Sequence, residues 1–136
     1  MIAFKVVGKR TRRGSNITIY RNNHPLNERP IDARRLCREN PDHFPKYSKG
    51  ATITALESTP GIMCFKDRDY AEDFLETYDI RLEAKIIRVR GIGRPRRSLK
   101  IFGDCGDNPE YLWTLKEPIR SPIPGTVAFR SVKVLD

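Results

Sequence analysis

The segment GIMCFKDRDYAEDFLETYDIRLEAKIIRVRG, Gly61 to Gly91, constrains the fold more than any other. GIMCF is a short apolar run suited to a buried strand, and EAKIIRVRG is rich in β-branched residues. Between them DRDYAEDFLETY places Ala71, Phe74, Leu75 and Tyr78 at i, i+3, i+4 and i+7, so one face of a helix over residues 67–78 is apolar. Asp67 or Asp69 can cap it, the latter with Glu72 three residues on. Strand, helix and strand in about thirty residues is the length of a βαβ or split unit, and it predicts a sheet with one main helix packed on it.

The flanking sequence supplies further strands. IAFKVV (Ile2 to Val7) and NITIY (Asn16 to Tyr20) read as a hairpin with Lys9, Arg10, Arg12 and Arg13 at its tip. Ala51 to Glu57, Leu99 to Phe102 and the final TVAFRSVKVL complete a set of about six. Arg21 to Gly50 loses periodicity apart from a short helix, Ile31 to Glu39, started by Pro30 and stopped before Pro41. A connection of that length is a candidate lid or docking surface. The expectation is an α+β fold, a single domain over residues 1–136 with a curved, mainly antiparallel or mixed sheet. A chain of 136 residues suits one domain with a real core.

Charge is strongly segregated. Residues 1–50 carry 12 Lys+Arg against 4 Asp+Glu, residues 51–84 carry 3 against 8, and residues 85–136 carry 11 against 5, within a net charge of +9. Two basic arms around an acidic middle point to a one-signed surface and to polyanionic partners. The densest run is RVRGIGRPRRS, Arg88 to Ser98, with five arginines in eleven residues. Strand alternation puts Arg88 and Arg90 on one face with Ile86, and Ile87 and Val89 on the other. Gly91 and Gly93 then offer flexible backbone before Arg94, Arg96 and Arg97. Guanidinium groups grip phosphate bidentately and keep their charge, so these five are candidate phosphate ligands. The competing reading is a solvated sheet edge kept soluble by arginine.

Arg10, Arg12 and Arg13 form a second cluster, and Arg34 and Arg35, with Arg38 beside them, a third. Their ordinary readings are a polar turn and a solvated helix face; three clusters in one chain favour binding of nucleic acid or another phosphate-bearing ligand. Tyr20, Phe44, Tyr47, Tyr111 and Trp113 are the aromatics available for base stacking, against the ordinary role of core packing.

Other chemistry has less to stand on. Cys37, Cys64 and Cys105 lack CxxC spacing and an even count, which suits reduced thiols rather than a disulfide scaffold. Cys37, His24 and His43 match no zinc spacing, and the turn DCGDNPE lacks a calcium-loop series, so no metal and no cofactor is expected. Cys105 has no adjacent histidine and Cys64 reads as core, leaving no catalytic residue to name. MIAFKVVGKR has no apolar core ahead of its charges and no run approaches spanning length. The expectation is therefore a cytoplasmic protein without membrane contact.

GATITALESTPGIMCFKDRDYAEDFLE followed by AKIIRVRGIGRP, with the approach Tyr47 to Gly50, resembles a pattern in small uncharacterised proteins of phages and archaeal viruses. The resemblance covers about a third of the chain, carries no catalytic signature, and implies a viral or mobile-element origin in a host cytoplasm. The strand, A-x-x-F helix and strand are also similar to part of the ADP-ribosyltransferase fold. The Ser-Thr-Ser strand and the Glu-x-Glu turn of that fold are absent here, which puts NAD chemistry in doubt. Three functions follow in order: a noncatalytic nucleic-acid or phosphate binder, a module docking on a host or viral protein, and an enzyme acting on a nucleotide.

Overall fold

A computed structural model of the chain describes residues 1–14, 33–57, 59–96 and 124–136, apart from the side chains of Ala33, Arg34 and Leu36. The expected strands NITIY and Leu99 to Phe102, and Arg97, Cys105, Tyr20, Tyr111, Trp113 and His24, lie outside the described residues.

Six strands are described: β1 (Ile2–Gly8), β2 (Thr52–Thr54), β3 (Ile62–Phe65), β4 (Ala84–Ile92), β5 (Thr126–Phe129) and β6 (Ser131–Val134). Two helices join them, α1 (Ala33–Glu39) and α2 (Arg68–Thr77). The sheet order is β2-β6-β4-β1-β3-β5, and every pairing is antiparallel. The fold is α+β, and the antiparallel alternative holds over the mixed one. β3 and β4 both pair with β1, so they run parallel to each other with β1 between them. This is the split βαβ arrangement, with α2 as its crossover.

α2 exists because its apolar stripe has a floor. Ala71, Phe74 and Leu75 are buried, and they pack with Val6, Phe65, Ile80 and Ala84. The helix closes in a Schellman turn: the Ile80 amide donates to Leu75 O at 3.0 Å and the Asp79 amide to Glu76 O at 3.1 Å, with Asp79 at φ 51°. On the outer surface Arg81 bridges Glu72 and Glu76. Such exposed pairs contribute at most about 1 kcal/mol, whereas each buried Phe or Val contributes about 1.5–3, so packing decides where α2 sits.

The opposite face holds the larger cluster, with Ala3, Val7, Cys64, Ile87, Val89 and Phe129 among its members, and it is concave. β5 stands at one end of the sheet order and β6 next to the other end, yet only Arg130 separates them in sequence. One linking residue spans no more than about 7 Å, so the sheet curls until its two ends come close. The inward pattern Val127, Phe129 then skips two residues to Val132, which marks a bulge at Arg130 and Ser131. β4 follows the bend. Its residues 91 and 92 pair with Val132 and Ser131, and beyond a turn at Gly93 (φ 84°) Arg96 bridges Ala128. TVAFRSVKVL is therefore two strands, because the curl needs a corner where a single strand was expected.

Two other expectations change. Gly91 is buried β-strand and not flexible backbone: a Cβ there would lie 2.1 Å from the Phe129 ring. β2 is three residues long and not the seven of Ala51 to Glu57, since the Ala55 amide donates to Arg130 O at the bulge and the Thr59 amide then turns back onto Leu56 O. Within the proline-rich connection, the stretch from Phe44 to Gly50 is fastened to the rest of the fold. Phe44 and Tyr47 are buried, the Tyr47 amide donates to Arg12 O, and α1 is described over Ala33–Glu39, the first two positions of the expected helix lying outside the described residues. No helix of the described residues is long and apolar enough to cross a membrane.

Candidate functional site

The convex face of the sheet has two halves. Along β4, Ala84 and Ile86 lie under α2, and the next residues of the same parity, Arg88, Arg90 and Ile92, emerge into solvent. The predicted alternation of β4 is thus observed. Its register then does what one strand cannot. Arg90 stands opposite Ile2 of β1 on one side and Lys133 of β6 on the other, and Lys133 stands opposite Thr52 of β2. One row, Ile2, Arg90, Lys133, Thr52, crosses four strands, all four residues exposed. The next row is Ile92, Ser131, Thr54, in which Thr54 Oγ1 and Ser131 Oγ share a hydrogen bond of 2.9 Å.

Arg90 and Lys133 are like charges on adjacent strands, about 5 Å apart at the backbone, an arrangement that destabilises a sheet unless an anion sits between them. Neither has an acidic partner among the described residues. The neighbouring hydroxyls of Thr52, Thr54 and Ser131 add neutral donors. Cations and hydroxyls on an open sheet face are the groups that bind phosphate oxygens. The acidic half of the same face is α2, whose Asp69 and Asp73 are exposed. The charge blocks of the sequence thus become two halves of one face.

Arg88 is placed on this face too, but it is engaged. Its Nη2 donates to Asp136 Oδ1 at 2.9 Å, its Nε lies 3.1 Å and 3.2 Å from the two carboxylate oxygens, and its amide donates to Asp136 Oδ2 at 2.8 Å. These bonds, with lesser help from Lys49, hold the Asp136 carboxyl down at about 2 from an ordinary 3.8. A depressed carboxyl contributes stability above its ordinary value and loses it as pH falls, here between about 4 and 2. The pair is more than one-third exposed on both sides, so water screens it and the contribution is small. Acid unfolding followed by circular dichroism should show Asp136→Asn losing less stability than the unaltered chain across that window; equal losses would remove the pair from the stability of the fold.

The arginines of the turn after β1 divide. Arg12 Nε donates to Tyr47 O at 2.7 Å and its Nη2 to the main-chain oxygen of Asp136, while Arg13 Nη1 donates to Phe44 O. Both are spent on docking the 41–50 segment, whereas Arg10 is exposed at the turn. Arg94 and Arg96 are exposed beyond Gly93, with Arg96 carried round the bend to β5. Arg35 is exposed on α1. Of the eight candidate arginines whose side chains are described, Arg88 and Arg90 share the open face just described; Lys133, Thr52, Thr54, Ser131 and Asp136 are the members that sequence alone missed. Lys133 had a signal in the alternation SVKV, but its pairing partner had none.

The other candidate groups among the described residues are covered or engaged. Phe44 and Tyr47 are buried and cannot stack on a base. Burial pushes the Cys64 thiol up to about 11 and also raises Cys37, so neither offers a ready thiolate. Lys5 is turned to the concave side, where its Nζ donates to Met63 O at 2.8 Å and lies 5.2 Å from the Tyr47 ring centroid. No group of three His, Cys, Asp or Glu side chains among the described residues is arranged to hold a metal ion. No family model matches the chain, and no similar protein was found among curated proteins or solved structures.

Proposed function

We propose that the chain is a noncatalytic binder of nucleic acid, gripping the phosphate backbone on the convex sheet face through Arg90 and Lys133, with Thr52, Thr54 and Ser131 beside them. The observation that carries this reading is the Arg90 and Lys133 pair, opposed across β4 and β6 with no acidic partner among the described residues. The two rows that carry Arg90, Lys133, Thr52, Thr54 and Ser131 include no aromatic side chain, and Phe4, opposite Arg88, packs against the cluster under α2; this favours contacts to phosphate over base stacking and a ligand read with little sequence preference. Arg94 and Arg96, exposed on the same strand's continuation, extend the positive field. The reading also takes the chain to be encoded by a virus or mobile element and to act in the host cytoplasm, on the resemblance of about a third of the sequence.

The test is fluorescence anisotropy with a short single-stranded oligonucleotide at low and moderate salt. Arg90→Glu with Lys133→Glu should weaken binding at least about tenfold and flatten the slope of log K against log salt by about 1.4, two single-strand phosphate contacts. Absence of binding by the unaltered chain at low salt, or equal binding by the double variant, sinks the reading.

A second reading has its own observation. The outer surface of α2 and its approach expose Asp67, Asp69, Asp73 and Glu76, a docking surface for a basic segment of a protein partner. Nuclease-insensitive pull-down lost on charge reversal at these four positions would favour it.

A further inference from the structure

We propose that Asp136 is a built-in competitor for the ligand's phosphate, holding Arg88 until a phosphate group displaces its carboxylate. The proposal rests on the nucleic-acid reading and names a second phosphate subsite within it. Its ground is geometric. The Asp136 carboxylate presents two oxygens to one guanidinium, the arrangement in which a phosphate is also held. Arg88 lies on the same face as Arg90, one pleat away. A phosphate chain leaving Arg90 along β4 meets Arg88 about 7 Å further on.

The surroundings of the carboxylate are cationic on several sides. Arg12 reaches the main-chain oxygen of Asp136, and Lys49 acts on its carboxyl from the 41–50 segment. Removing the side-chain charge therefore leaves Arg88 and Lys49 beside a space that an anion has occupied, with Arg12 still bound to the main-chain oxygen. Both partners are well exposed, at 55% for Arg88 and 38% for Asp136, so water screens the pair and an incoming phosphate reaches it without opening the core. A purely structural fastening has a different signature, because Asp136 also accepts the Arg88 amide and its loss would then loosen β4 from the chain following β6 without altering affinity.

The experiment uses the same oligonucleotide titration. Asp136→Asn should bind about three- to tenfold more tightly and steepen the salt slope by about 0.7, one added single-strand contact. Arg88→Ala in the Asp136→Asn background should cancel both changes, and Arg88→Ala alone should weaken binding, by less than it does in that background. Asp79→Asn makes the same charge change on the far end of α2, at a φ that asparagine tolerates, and should leave affinity within about twofold. In the unaltered chain labelled with ¹⁵N, the Arg88 Nε–H resonance should move on saturation with the oligonucleotide, a readout that requires no variant to fold. Binding that depends on Arg90 and Lys133 but shows no gain in Asp136→Asn, or an Arg88 resonance that stays in place, overturns this proposal alone. Binding indifferent to Arg90 and Lys133 overturns the nucleic-acid reading and this proposal with it.

Discussion

Gly91→Ala is expected to lower the free energy of unfolding by about 3 kcal/mol, measured by urea denaturation. An added Cβ would stand 2.1 Å, 2.3 Å and 2.4 Å from three carbons of the Phe129 ring. That ring is fully buried within the larger core cluster, so it cannot swing clear. Alanine's usual advantage over glycine, about 0.5–1 kcal/mol from a less flexible unfolded chain, is far too small to offset the overlap. Phe129→Leu alone leaves a small void. In the double variant the shorter side chain yields to the new methyl, so the two losses should fall short of additivity by more than about 1 kcal/mol. Full additivity would mean that the ring does not rest on Gly91. The same contact is what the curl consists of: β1 and β3 lie between β4 and β5 in the sheet order, about 14 Å of flat sheet.

That curl explains what the sequence made legible and what it did not. α2 could be read because its evidence is local: one apolar stripe and a strand on each side; the N-cap is Asp67, which makes no side-chain capping bond. The two faces of β4 could be read for the same reason, since alternation is a property of a single strand. The bulge at Arg130 was invisible because TVAFRSVKVL is a good strand throughout, and only long-range closure demands the corner. The role of Gly91 was hidden likewise, because its partner is Phe129, 38 positions along the chain. Arginine-rich composition pointed to RVRGIGRPRRS, but composition cannot distinguish Arg90, facing Lys133, from Arg88, held by Asp136, or from Arg12 and Arg13, which bind main-chain oxygens. Those assignments depend on register and on a segment that returns from elsewhere in the sequence. The acidic middle of the chain was legible as a block, and it is the split βαβ crossover that sets it beside the basic rows on one face.

Arg12→Ala should cost about 2–3 kcal/mol, the largest loss expected from any of the arginines whose side chains are described. Its side chain makes two charge-assisted bonds, to Tyr47 O and to the main-chain oxygen of Asp136, and truncation leaves the partly buried Tyr47 oxygen without that donor. Its backbone is also committed, since the Arg12 amide donates to Gly8 O at 2.9 Å and its own carbonyl accepts the Tyr47 amide. The turn that makes this possible holds Arg12 at φ 55°, a region that costs a residue with a Cβ roughly 1 kcal/mol. The two contributions can be separated by substitution. Arg12→Gly loses the same guanidinium but is freed of the backbone penalty, so it should be less destabilised than Arg12→Ala by about 0.5–1 kcal/mol, the reverse of their order in a regular strand or helix. Arg12→Lys should recover little, because a single ammonium lacks the planar fork that serves two separated oxygens. Thermal and urea unfolding of the three variants decides the matter: alanine above glycine in stability would rule out the left-handed turn, and lysine equal to arginine would reduce the fork to a simple charge.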